Sequence, residues 1–203
     1  WGFHPVREAL RSKHREIIRL WATPEAAGRL EAEISTRGIE PRLTTLEDLN
    51  QRLPQDSVHQ GLLLEAKPLA SIDIADLPEK GLVLVLDQVT DPHNVGAIVR
   101  TAAAFAVDAI ITTERHSPAM TGVLAKSASG GLEHVPLCVV VNLARALEAL
   151  GDKGYQRVGL DSDGPASLED TDIARPLALV LGAEGKGLRR LSRENCDVLA
   201  RLD

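Results

Sequence analysis

Aromatic side chains are nearly missing from this sequence. Two Trp, one Tyr and two Phe among 203 residues leave few stacking platforms, so a nucleic-acid ligand would be recognised mainly by shape and phosphate contacts. Cysteine is equally scarce. Cys138 and Cys196 cannot build a disulfide framework, and no Cys/His spacing resembles a zinc site. Two thiols point to a reducing compartment, and Cys138, inside the apolar run 135–141, reads as a small core residue. No apolar stretch approaches the ~20 residues of a membrane helix. No basic-then-apolar leader signals secretion, and because the chain opens at Trp1 a start further upstream is expected. What is present is an ordinary globular mixture, 44% hydrophobic and 26% charged, which excludes a disordered chain.

The net charge of −6 excludes a uniformly basic nucleic-acid binder, but distribution matters more than the total. Residues 1–68 carry ten Lys/Arg and ten Asp/Glu, whereas 81–203 carry twelve against sixteen. Between residues 4 and 19, Arg7, Arg11, Lys13, Arg15 and Arg19 meet only Glu8 and Glu16. Arg7, Arg11 and Arg15 recur every four residues, which predicts one helix face. With His14 it either holds phosphates or is simply solvated. A second basic cluster is Lys186, Arg189, Arg190 and Arg193.

The apolar pattern changes near residue 68. Before it, helix is expected over 5–11, strand over 17–21, and helix from Thr23-Pro24 to about Arg37, stopped by Gly38. A short strand at 42–43, a Thr44-x-x-Glu47 capping box and a strand at 62–66 complete a small α/β unit, residues 1–66. Residues 67–80, with Pro68, Pro78 and three acids, read as a linker that sets the spacing of two units. From Gly81, apolar runs at 82–86, 109–111, 137–141, 158–160 and 177–181 suit parallel strands buried on both faces. Helical stretches at 94–105, 119–129 and 143–150 lie between them. The fold class is therefore α/β with an open parallel sheet, and ligands of such sheets bind in loops at the carboxyl ends of strands.

Two unusual loops fall there. The first, Asp87-Gln88-Val89-Thr90-Asp91-Pro92-His93-Asn94, ends on an Asn able to cap the next helix. Arg100 follows six residues on, about 240° around a helix, so the two do not share a face. Arg100 could equally be an ion-pair partner of Asp87 or Asp91. The second loop, Leu181-Gly182-Ala183-Glu184-Gly185-Lys186-Gly187, lets backbone approach a ligand closely. Its spacing fits neither the phosphate loop of nucleotide hydrolases nor the dinucleotide fingerprint. A Glu between two glycines, with no helix to stabilise, points to function. His59 and His134 read as loop or core residues, and His93 as a neighbour of the site.

The segment Asp91-Pro92-His93-Asn94-Val95-Gly96-Ala97-Ile98-Val99-Arg100-Thr101-Ala102 together with Leu181-Gly182-Ala183-Glu184-Gly185-Lys186-Gly187 resembles the first two motifs of the SpoU/TrmH family. These are RNA ribose 2′-O-methyltransferases of the SPOUT superfamily. Lys126-Ser127-Ala128-Ser129-Gly130-Gly131-Leu132-Glu133-His134-Val135-Pro136 is also similar to that family. Gly2-Phe3-His4-Pro5-Val6-Arg7-Glu8-Ala9-Leu10 with Val58-His59-Gln60-Gly61 resembles the substrate-binding domain of the branch acting on a guanosine of 23S ribosomal RNA.

The resemblance implies methyl transfer from S-adenosylmethionine to a ribose 2′-hydroxyl. It further implies a C-terminal α/β trefoil knot over 81–203, an L30e-like RNA-holding domain over 1–66, and a cytoplasmic homodimer with its active site at the subunit interface. No metal is implied. Asn94, Arg100 and Glu184 are the implied catalytic set. Leu160, Leu181, Gly182 and Gly185 would border the cofactor, and Arg7, Arg11 and Arg15 would hold RNA. A transfer-RNA methyltransferase and a non-catalytic RNA-binding protein of the same fold are the alternatives. The family's third motif, Ser-Leu-Asn-Val-Ser, does not follow Leu202-Asp203. A chain of this extent is therefore expected to bind the cofactor weakly and to hold its Gly182–Gly187 loop loosely.

Overall fold

The computed structural model describes residues 1–115 and 117–202. The N-terminal unit opens with α1 (Phe3–Arg11), β1 (Ile17–Ala22), α2 (Pro24–Arg29) and α3 (Glu31–Arg37). Helix was expected to run unbroken from 24 to 37. It breaks at Leu30, which leaves helical dihedrals while staying fully buried, two residues after the weak helix former Gly28. β2 (Arg42–Leu43), α4 (Leu46–Arg52) and β3 (Leu62–Ala66) follow. The capping box sits one residue later than expected. Thr45 and Asp48 form it, because the Thr44 amide is still held by the Ala22 carbonyl at 3.0 Å in the strand ladder. The three strands order β2-β1-β3, and Leu20, Ala22 and Leu62 pack with Val6, Leu10, Ala26, Leu30 and Ile34 under the helices.

The second unit runs β4 (Leu82–Asp87), α5 (Pro92–Ala104), β5 (Ala109–Thr113), α6 (Gly122–Ala128), β6 (Leu137–Val140), α7 (Leu143–Asp152) and β7 (Gln156–Leu160). It ends with β8 (Ala166–Ser167), β9 (Leu177–Gly182), α8 (Arg190–Glu194) and β10 (Val198–Arg201). Its seven strands are parallel, in the order β6-β5-β4-β9-β7-β10-β8. Side chains alternate across the sheet. Val83, Val85, Ile111, Ala178 and Val180 pack with Leu143, Leu147 and Leu150 of α7, while Leu86 and Ile110 pack with Val95 and Val99 of α5 and Leu124 of α6.

Residues 67–80 are a strap against the second unit. The Ile72 amide donates to the Leu137 carbonyl at 3.0 Å, Leu77 is buried in the α7-side core, and the Tyr155 hydroxyl donates to the Pro78 carbonyl at 2.6 Å. The two units also touch directly. Trp1 lies where a side chain at Gly122 would have to go, Lys126 Nζ donates to Gln60 Oε1 at 3.1 Å, and His134 Nε2 meets Glu8 Oε2 at 3.3 Å. Arg15 and Glu133 form an ion pair at 2.5 Å with side chains only 12% and 5% exposed. Thus Lys126, Gly130, Glu133 and His134 of the family-like segment face the N-terminal unit, and Gly131 lies against the backbone of Val99 and Arg100.

Candidate active site

β4 and β9 are neighbours, in register from Leu82↔Leu177 to Asp87↔Gly182. β4 leads through α5 to β5 on one side, and β9 leads through α8 to β10 on the other. Their loops diverge, which is the strand-order switch where open α/β sheets hold ligands. A cleft of about 490 Å³ lies there, lined by Gln88, Val89, Thr90, Asp91, Asn94, Ala183, Glu184 and Lys186.

The loop after β4 is anchored at its start. Asp87 is fully buried, and its carboxylate accepts from Arg189 Nε at 2.6 Å and from the Arg189 amide at 2.9 Å. That ties the start of the first loop to the end of the second. Gln88 follows at φ 60, a conformation costly for a residue with a Cβ. Asp91, not Asn94, caps α5, accepting from the His93 amide at 2.8 Å, with Pro92 at the first helical position. Asn94 therefore lies in the first turn, and its side chain is free to cross the cleft. Asn94 Nδ2 donates to Glu184 Oε2 at 3.3 Å.

The loop after β9 folds back on itself. Ala183 bridges Gly187, and the Gly187 amide donates to the Ala183 carbonyl at 2.9 Å. A Cβ on Gly182 would overlap the Gly187 carbonyl, and Gly185 and Gly187 take φ 74 and 62. The glycines are therefore required by the turn itself, and they lift Glu184 to the cleft. Leu181 pairs in register with both Leu86 and Leu160, so Leu160, Leu181 and Gly182 line one carboxyl edge. Gly185 stands at the exposed loop tip.

Arg100 is not in this cleft. It is exposed near the other end of α5, and among the described residues its side chain has no partner. Pairing with Asp87 or Asp91 is overturned, since Arg189 holds the first and helix capping holds the second. Arg7, Arg11 and Arg15 do not share a helix face either. α1 ends at Arg11. Arg7 and Arg11 lean on Glu8, Arg11 also pairs with Glu33 at 2.7 Å, and Arg15 is locked between the units. Of the second basic cluster, Arg189 is held by Asp87, Arg190 by Glu194 at 2.7 Å and Arg193 by Asp161 at 3.2 Å, while Lys186 lines the cleft.

Sequence reading missed the Asp87–Arg189 clamp and the strained Gln88. It also missed Gly164, whose Cα lies against the backbone of Ala200 and Arg201 so that no side chain fits. The loop from β7 to β8 thereby wraps over the end of β10, which lies between those two strands. Burial pushes the Cys138 thiol up to about 11 and the Cys196 thiol up to about 12, so neither is a thiolate nucleophile. Among the described residues no cluster of His, Cys, Asp or Glu could hold a metal, and no helix is long and apolar enough to cross a membrane.

Residues 81–203 match the SpoU rRNA Methylase family, and residues 1–71 match the RNA 2′-O ribose methyltransferase substrate-binding domain. The chain belongs to the SpoU rRNA methylase family. It is 38% identical to the 23S rRNA (guanosine-2′-O-)-methyltransferase RlmB of Shewanella oneidensis, over all of this chain and 86% of that one. It is 37% identical to the RlmB of Pseudomonas aeruginosa, over all of this chain and 85% of that one. The SpoU methyltransferase AviRb of Streptomyces viridochromogenes, solved with AdoMet, shares the fold at TM-score 0.80 and 21% identity, covering 99% of this chain and 78% of that one. Within the SpoU family fold, the cleft at β4 and β9 joins the two motif loops.

Proposed function

We propose that this chain transfers a methyl group from S-adenosylmethionine to the ribose 2′-hydroxyl of a guanosine in 23S ribosomal RNA. The observation that carries the reading is the Asn94–Glu184 hydrogen bond across the cleft at the β4/β9 switch point, in a chain of this family. The residues fit the cofactor. Leu160 and Leu181 offer an apolar edge that continues into Gly182, and side-chain-free Gly185 leaves backbone open at the loop tip. When bound, the cofactor supplies an electrophilic methyl group on a sulfonium.

The chain's own residues position the other reactant. Asn94 gives one N–H to Glu184 and keeps its carbonyl oxygen and second N–H for the ribose. Glu184 fixes the orientation of that amide. Alignment of oxygen, carbon and sulfur then supplies much of the rate enhancement. Arg100 acts as a fixed positive charge for the developing alkoxide and adjacent phosphate; an arginine stays protonated and is no base. Its place outside the cleft of its own chain favours a homodimer in which Arg100 of a second copy completes the site.

The wrapping of residues 161–168 over β10 supports reading this end of the sheet as the knotted cofactor site. The assignment of 1–66 as RNA-holding domain, 67–80 as connecting strap and 81–203 as methyltransferase domain belongs to the same proposal, as does action in the cytoplasm without a metal. The test is transfer from labelled cofactor to ribosomal RNA, with mapping of the modified ribose. A 2′-O-methylguanosine in 23S RNA is expected. Modification of transfer RNA alone, or none with cofactor and RNA both bound, would overturn the reading.

A further inference from the structure

In the N-terminal unit Arg7, Arg11, Arg15 and Arg37 are committed to carboxylates or carbonyls, whereas, among the described residues, Lys13, Arg19, Arg29, Arg42 and Arg52 are not. Among the described residues Arg19, Arg42 and Arg52 make no salt bridge and no hydrogen bond. Two of these three share one ring, and the third is its neighbour across the sheet. The guanidinium carbons of Arg19 and Arg52 lie over the Trp21 indole, 5.2 and 5.5 Å from its centroid. Arg42 is the residue paired with Trp21 on β2, and Leu63 is its partner on β3. Leu20 and Ala22 of β1 point into the core, so Arg19 and Trp21 lie on the opposite, outer face of the sheet.

Two guanidiniums over one indole, with a third cation on the neighbouring strand, repel one another. The ring offsets part of this through its negative face. Two carboxylates stand near, Asp48 one turn before Arg52 in α4 and Glu65 opposite Arg19 on β3, and neither closes an ion pair with these arginines. The arrangement sets positive charge against an aromatic ring, which is the combination that single-stranded nucleic-acid sites use.

We propose that the outer face of β1, built from Arg19, Trp21, Arg42 and Arg52, is a docking platform for an unpaired stretch of the RNA substrate. A base stacks on a guanidinium plane backed by the indole, and Arg42 meets the neighbouring phosphate. The platform rests on the reading that this chain acts on RNA, and it moves the RNA contact away from Arg7, Arg11 and Arg15, whose charges are already spoken for. The aromatic ring beside the guanidiniums favours a base over a carboxylate, which a guanidinium engages end-on through its N–H fork.

The probe is a short single-stranded RNA oligonucleotide titrated into the full chain. Trp1 and Trp21 are the two tryptophans, so in a Trp1→Phe background the indole emission reports Trp21 alone. Binding is expected to quench it. Arg52→Gln and Arg19→Gln are expected to weaken binding about 10-fold each, and Arg42→Gln to lower the salt slope by about one. All three are expected to raise KM for ribosomal RNA while kcat holds. Unchanged affinity in all three variants, or equal quenching by polyglutamate, would overturn the platform. A wild-type chain that methylates ribosomal RNA while the variants bind it normally would remove the platform and keep the activity. Quenching without any methyl transfer would remove the activity and keep the platform.

Discussion

Arg100 carries its charge at the surface and among the described residues makes no hydrogen bond or ion pair, so its removal should alter chemistry and not folding. Arg100→Ala is expected to lower kcat by about 100-fold or more, the usual loss when one stabilising donor is taken from a developing oxyanion. Its urea midpoint should match the wild type. Arg100→Lys should fail as well, because a point charge cannot reproduce the planar fork. Transfer at wild-type rate by Arg100→Ala would refute the electrostatic role. His59 makes a prediction of the opposite kind, on stability and not on rate. It is buried, its Nδ1 accepts from the Gly61 amide at 3.1 Å, and Nε2 then donates to Asn50 Oδ1 at 3.0 Å. Burial and then the nearby Lys126 charge hold its pKa below the ordinary histidine value. The unfolded chain therefore binds the proton more readily. The stability His59 contributes is present above about pH 6.5 and is lost as pH falls through the lower folded value. Denaturation midpoints measured from pH 7.5 downward should decline, and His59→Gln should flatten that decline.

The elements differ in how plainly the sequence announces them. β4, β5, β7 and β9 were legible because strands buried on both faces read as unbroken apolar runs. β8, two residues long, and the five-residue α8 carry no periodicity to read. The sequence offers Asn94 as the cap of α5 and the structure uses Asp91, because either side chain can accept an amide. Pro92 decides it by fitting the first helical position, and that shift is what frees Asn94 for Glu184. Both motif loops of the site were visible as odd residue choices, whereas the Asp87–Arg189 clamp joins residues 102 apart and leaves no local trace. The same holds for the strap 67–80, whose prolines and acids look like a tether although Leu77 is buried. The Arg15–Glu133 pair locks the two units together. Both side chains are largely buried, so Arg15→Ala should cost about 3 kcal/mol by stranding Glu133, whereas replacing the pair by Met and Leu should be nearly neutral. Urea denaturation of the single and double variants checks this. Equal losses in both would show that the pair is more than a mutual neutralisation.

At the scale of the whole molecule, one chain holds the implied residues in two places. Asn94 and Glu184 meet at the carboxyl ends of β4 and β9, while Arg100 faces outward elsewhere on α5. In the symmetric dimer proposed above the separation would be resolved, because a two-fold axis would bring each copy's Arg100 to the other's cleft and build two identical sites. This has a consequence that a self-contained site lacks. Arg100→Ala and Glu184→Ala should each be inactive alone. Mixed in equal amounts and allowed to exchange subunits, they form mixed dimers in which one site draws Arg100 from one copy and Glu184 from the other and is fully wild type. The second site of the same dimer carries both substitutions. Random pairing should then restore about a quarter of wild-type activity. If Arg100 served the cleft of its own chain, every site in the mixture would remain defective and no activity would return. The measurement is methyl transfer into ribosomal RNA before and after subunit exchange, with the total protein concentration held constant.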